Sequence, residues 1–155
     1  MRNPQSPIVR FSKVRRHRAC TARRARHHAP VTDEWSYWHD IAEAEVLGTL
    51  GRLPAPLRER AQRLPVTYEP FPSEELEADG IEPDTLGLFL GETWAEEGST
   101  TVPMPPQIMI FLENLLDFVD DDETRFREEV RTTYLHELGH YLGLDEDELT
   151  ERGLE

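Results

Sequence analysis

Between Thr32 and Leu50 the apolar residues Trp35, Trp38, Ile41, Ala42, Val46 and Leu50 return at helical spacing, with polar residues between them. That period places them on one face of an amphipathic helix. Thr32-Asp33-Glu34 offers a capping side chain and acids for a first turn, and Gly51 and Pro54 offer a stop, so a helix is predicted over 33–50. Its two tryptophans read as core anchors. A shorter helix is predicted from Ala55 to Leu64, with Pro56 in its first turn. Pro65–Phe71 then reads as an extended segment, confined by Pro70 to a sheet edge. Residues 72–85 are acidic and rich in turn formers, and read as a loop. Leu86–Leu90 is a short apolar strand turned by Gly91, and 92–101 reads as a loop or hairpin with a turn at Gly98-Ser99-Thr100.

Gln107–Leu112 is short, apolar, β-branched and aromatic, which predicts a central strand. Glu113–Val119 follows as a short amphipathic helix. Asp120-Asp121-Asp122 breaks it and caps the next one, placing negative charge at a positive helix end. The triplet lacks the glycine and the distal glutamate of a calcium loop. The last long helix is predicted over Glu123–Leu142, with Phe126, Val130, Tyr134, Leu138 and Leu142 as a buried stripe and Gly143 as C-cap. One or two further helical turns are expected over 147–152, and no internal repeat is visible.

Charge divides the chain. Residues 1–30 hold nine Lys and Arg and no acid, whereas 31–155 set eight arginines against all 31 acids, a net charge of −23. The basic stretch has too few apolar residues to offset the entropy of ordering and reads as a disordered tail. The composition changes so abruptly at Val31 that a native start near that residue is a further expectation. The remainder, 31–155, reads as one domain. Its acidity disfavours nucleic acid and anionic lipid as partners. The one cysteine, Cys20, excludes a disulfide framework. No apolar run is long enough for a membrane span, and the N-terminus lacks a signal-peptide core, so a cytoplasmic location is expected.

The chemistry lies on the last helix, in His136-Glu137-Leu138-Gly139-His140. Histidines four residues apart sit one above the other on a helix and can hold one metal ion. Glu137 lies about 100° round the helix from His136, able to face the same space without ligating. Two histidines, a third protein ligand and a nearby carboxylate are what a zinc ion with an open water position requires. Gly143 permits the backbone to reverse, so that a later residue can return to the metal. Glu146 occupies the third-ligand position, and Asp145 and Asp147 are close enough to compete for it. The expectation is one zinc per chain, held by His136, His140 and Glu146.

The run His136-Glu137-Leu138-Gly139-His140-Tyr141-Leu142-Gly143-Leu144-Asp145-Glu146 resembles the H-E-x-x-H-x-x-G-x-x-D motif of the small zincin-like metallopeptidases, or minimal zincins. Glu128–Leu135 before it and Asp147–Gly153 after it are also similar to that family. The family's final Asp is Glu146 here. The resemblance implies a compact α+β domain, with a small mixed or antiparallel sheet packed against helices on one side. In it the C-terminal metal-binding helix lines a cleft beside an edge strand. It also implies a zinc-dependent metallopeptidase acting on a peptide or protein substrate that pairs with that edge. In that reading Glu137 is the general base for a metal-activated water, and Tyr134, Tyr141 and His39 are candidate oxyanion donors. Two other functions fit the same residues. One is a non-catalytic, zinc-stabilised interaction module with an acidic surface. The other is a metal-dependent hydrolase of another substrate, against which, for RNA, the acidic body argues.

Overall fold

The computed structural model describes residues 33–96 and 105–151, apart from the side chains of Glu146, Leu149 and Thr150. The basic segment 1–30, the possible start at Val31, Cys20 and the turn expected at 98–100 lie outside the described residues. The order of elements is α1 (Asp33–Arg52), α2 (Ala55–Ala61), β1 (Val66–Glu69), α3 (Glu74–Ala78), β2 (Gly87–Leu90), β3 (Gln107–Phe111), α4 (Leu112–Phe118), α5 (Glu123–Tyr141) and α6 (Glu146–Glu151).

The sheet is mixed, in the order β1-β3-β2, with β1 parallel and β2 antiparallel to β3. The apolar run expected to be central therefore is, and the segment interrupted by Pro70 does form an edge. β3 ends one residue early, because Leu112 already begins α4. Alternation along the strands sorts side chains to two faces. Phe89, Ile108 and Ile110 join the main core with residues from α1, α4 and α5. Leu88, Leu90 and Phe111 form a smaller cluster with Ile81 and the partly buried Leu76 and Met109.

That second cluster corrects the expectation of a loop over 72–85 and of helices on one side only. Ser73 caps a short helix by accepting from the Leu76 N–H at 3.3 Å. Glu74, Glu75 and Glu77 lie in the first turn of α3, where acids suit the positive helix end. The stretch is acidic overall, yet its two large aliphatic residues, Leu76 and Ile81, cover the far face of the sheet.

Helix α5 lies against α1, β2 and β3. Phe126, Val130, Tyr134 and Leu138 are buried, as the stripe requires, and Leu142 is half-buried. Asp120 and Asp121 take φ of 55° and 58°, and Asp122 accepts from the Arg125 N–H at 2.9 Å, which starts α5. Trp38 meets Phe126 edge-on at 4.9 Å between ring centres, the anchoring expected of it. Glu45 of α1 ties the two long helices together, receiving Arg127 and Arg131 each at 3.2 Å. Burial pushes the Glu45 carboxyl up, but the two guanidinium donors outweigh it and hold it below its ordinary value. Among the described residues, no helix is long and apolar enough to cross a membrane.

Candidate metal centre

Helix α5 delivers His136, Glu137 and His140 together, at relative exposures of 4%, 0% and 2%. The ring centres of the two histidines are 4.8 Å apart and the rings are nearly perpendicular. Their Nε2 atoms converge to 3.1 Å. Two ligands of a tetrahedral zinc, with Zn–N bonds of about 2.0–2.1 Å, stand about 3.3 Å apart. The pair thus fits a shared ion.

The proton on His140 is fixed by what its other nitrogen meets. Nδ1 lies 3.2 Å from the Leu144 carbonyl, which can only accept. Nδ1 therefore carries the hydrogen, and Nε2 of the neutral ring presents its lone pair to the shared point. The reversal that makes this contact is a Schellman ending of α5. Gly143, at φ 90°, donates to the His140 carbonyl at 3.0 Å, and the Leu144 N–H donates to Gly139 at 3.0 Å. The sequence suggests that Gly143 brings a carboxylate back toward the metal. Among the described atoms it brings back a main-chain oxygen, to the ring of the second histidine.

The three acids after Gly143 part ways. Asp145 is exposed and forms a capping box with Glu148: Asp145 accepts from the Glu148 N–H at 2.9 Å, and Glu148 accepts from the Asp145 N–H at 3.0 Å. The capping bond engages one of the two Asp145 carboxylate oxygens, Oδ1. Asp147 is also exposed. Glu146 opens α6, and its side chain lies outside the described residues. Among the described residues, no three His, Cys, Asp or Glu side chains assemble into a metal-holding group.

Glu137 packs against β2 at Gly87. A Cβ on Gly87 would collide with Thr133 Cγ2 and stand 3.1 Å from Glu137 Cγ and 3.3 Å from Glu137 Oε1. Glycine at this strand position lets α5 approach closely enough to lay the carboxylate on the strand. Beside it, Tyr141 packs against Phe89 at 5.7 Å and Trp94 at 6.2 Å, and its carbonyl accepts the Trp94 N–H at 2.8 Å. The Arg60 guanidinium covers the Trp94 ring at 4.8 Å.

Of the three candidate oxyanion donors, Tyr141 stands on the β2 side. Tyr134, two residues before His136, is turned about 200° round the helix. It lines a cleft with Glu43, Val46, Leu64 and Tyr68, and burial pushes its phenol up to about 12. His39 meets the Tyr68 ring at 4.9 Å, at the opposite sheet edge. Neither is brought to the histidine pair. Gly87, Thr133, Trp94 and the Leu144 carbonyl are features that sequence reasoning missed. Only Gly87 left a signal, as a glycine inside an apolar strand.

A family model described as zincin-like metallopeptidase matches residues 61–154, from the end of α2 past α6. The chain belongs to that family. A comparison with curated proteins gave no match.

Proposed function

We propose that this member of the zincin-like metallopeptidase family is a zinc-dependent peptidase, with His136, His140 and Glu146 as metal ligands and Glu137 as general base. The observation that carries the reading is the 3.1 Å convergence of two imidazole nitrogens, one with its tautomer set by the Leu144 carbonyl. Bound zinc supplies an acidified water and polarises a carbonyl. Every other part comes from the chain. The buried Glu137 carboxylate takes a proton from the attacking water and returns it to the leaving amine.

The outer edge of β2 supports the reading of a peptide substrate. The Phe111 N–H donates to the Leu86 carbonyl at 2.9 Å, which fixes the ladder phase between β2 and β3. By antiparallel alternation, Gly87 and Phe89 direct their N–H and C=O groups away from β3. Among the described residues no strand pairs with that edge. An extended peptide bound there would pass the Glu137 carboxylate at Gly87.

The depth of burial favours a second reading, in which zinc only staples the C-terminal end of the domain and an acidic surface binds a basic protein. One set of measurements separates the two. Elemental analysis is expected to give about one zinc per chain in the wild type, with loss in His136→Ala. Glu137→Ala is expected to keep the zinc and lose hydrolysis of an unfolded casein. Zinc without hydrolysis in the wild type selects the staple. Equal, near-zero metal in wild type and His136→Ala overturns both.

A further inference from the structure

We infer that Thr133 is a positioning residue for Glu137: in the zinc-loaded protein its hydroxyl donates to the Glu137 carboxylate and aims it. The inference rests on the peptidase reading above. Thr133 stands one helical turn before Glu137, on the same face of α5. It is buried to 2% exposure, and its Oγ1 has no hydrogen-bond partner among the described residues. Its neighbour Thr132 behaves in the ordinary helical way, with its hydroxyl donating to the Glu128 carbonyl at 3.1 Å. Thr133 does not turn back to the helix.

Packing alone does not explain a hydroxyl here. Thr133 meets Gly87 through its methyl Cγ2, and valine would supply that methyl with the same shape. Burying an unmet hydroxyl costs stability that valine would spare. The nearest chemistry is Glu137, whose Cγ and Oε1 approach the same point above Gly87 as the Thr133 methyl. A threonine hydroxyl donating to one carboxylate oxygen leaves the other for the water proton. It also opposes rotation of the carboxylate away from the metal.

Two substitutions separate the hydroxyl from the methyl. Thr133→Val keeps the shape and removes the donor, whereas Thr133→Ser keeps the donor and removes the methyl. With fluorescence-quenched casein as probe, Thr133→Val is expected to retain its zinc and its KM and to lose kcat by roughly tenfold or more, the scale of a hydrogen bond to a charged group. Thr133→Ser is expected to restore kcat to within about twofold of wild type. A purely structural threonine predicts the reverse order, with valine active and serine impaired.

The second readout needs no activity. In zinc-loaded protein, Thr133→Val is measured by urea midpoint in the Glu137 and the Glu137→Ala backgrounds. The shift is expected to be more favourable in the Glu137→Ala background, where no carboxylate is left to serve. Equal shifts in the two backgrounds, or an unchanged kcat in Thr133→Val, overturn the inference. If wild type holds zinc but cleaves no casein, the peptidase reading fails, and the midpoint cycle alone decides Thr133.

Discussion

Replacing Gly87 by alanine tests how closely α5 must approach the sheet. An alanine in a strand ordinarily gains about 0.5–1 kcal/mol over glycine, because the unfolded chain loses freedom. No positive φ stands in its way at this position. Against that gain stands the new Cβ, which would collide with Thr133 Cγ2 and press on Glu137 at 3.1 Å and 3.3 Å. Thr133 is β-branched and fixed on a helix, so it has little room to yield. Overpacking a filled interior costs about 1–3 kcal/mol, and a collision with a stiff side chain belongs in the upper half of that range. The net expectation for Gly87→Ala is a loss of about 1–2 kcal/mol, read as a lower urea midpoint at unchanged slope.

Thr133→Ser removes the offending methyl. Alone it should cost about 0.8 kcal/mol, the value of one buried methyl group, but in the Gly87→Ala background it should cost nothing or recover stability. Hydrolysis should fall in Gly87→Ala with zinc retained, because the carboxylate is displaced and the histidines are not. A Gly87→Ala protein as stable as wild type, or strict additivity in the double variant, would refute the close-approach argument.

Glu45→Gln should weaken the link between α1 and α5 by about 1 kcal/mol, since both arginines remain partly in water. The Glu45 carboxyl is lowered in the folded protein, so its contribution is present above the unfolded value of about 4.3 and is lost as pH falls through the lower folded value. Wild type and variant midpoints should therefore differ near neutrality and converge in acid; a constant difference across the range counts against the pairing. Tyr68 is raised by burial first, then by the Glu43 charge and by Tyr134. Its neutral phenol supports the fold fully below about pH 10 and loses that support as pH climbs through the higher folded value. In an ultraviolet titration of the phenolates, Tyr68→Phe should remove a late-titrating group; loss of an ordinary, early one would contradict the burial argument.

Much of this architecture is legible in the sequence because its signals are local. The stripe from Phe126 to Leu138, the stop at Gly143 and the apolar run 107–111 each report their own element through period or turn chemistry. The edge position of β1 follows from one proline. Helix α3 is illegible because acids and turn formers dominate its composition, and two large aliphatic residues, Leu76 and Ile81, record that a second sheet face must be covered. At the candidate metal centre the histidine pair is written in a spacing of four. The separation of Tyr134 from that pair follows from helical angle alone. The work of Asp145 does not, because a carboxylate past a helix end serves equally as ligand or cap until a second helix is known to begin there.

The acceptor that sets the His140 tautomer is a main-chain oxygen, so no substitution of the side chain at 144 deletes it. The tautomer of this proposed ligand is then encoded elsewhere, in the residue whose left-handed conformation brings that oxygen round. Position 144 can drift among residues of similar bulk without losing that carbonyl, while position 143 is exposed to damage although a Cβ there would meet nothing within 4 Å. A lineage that lost Gly143 would keep every letter of H-E-x-x-H and forfeit the geometry that turns the Nε2 lone pair of the second histidine toward the first.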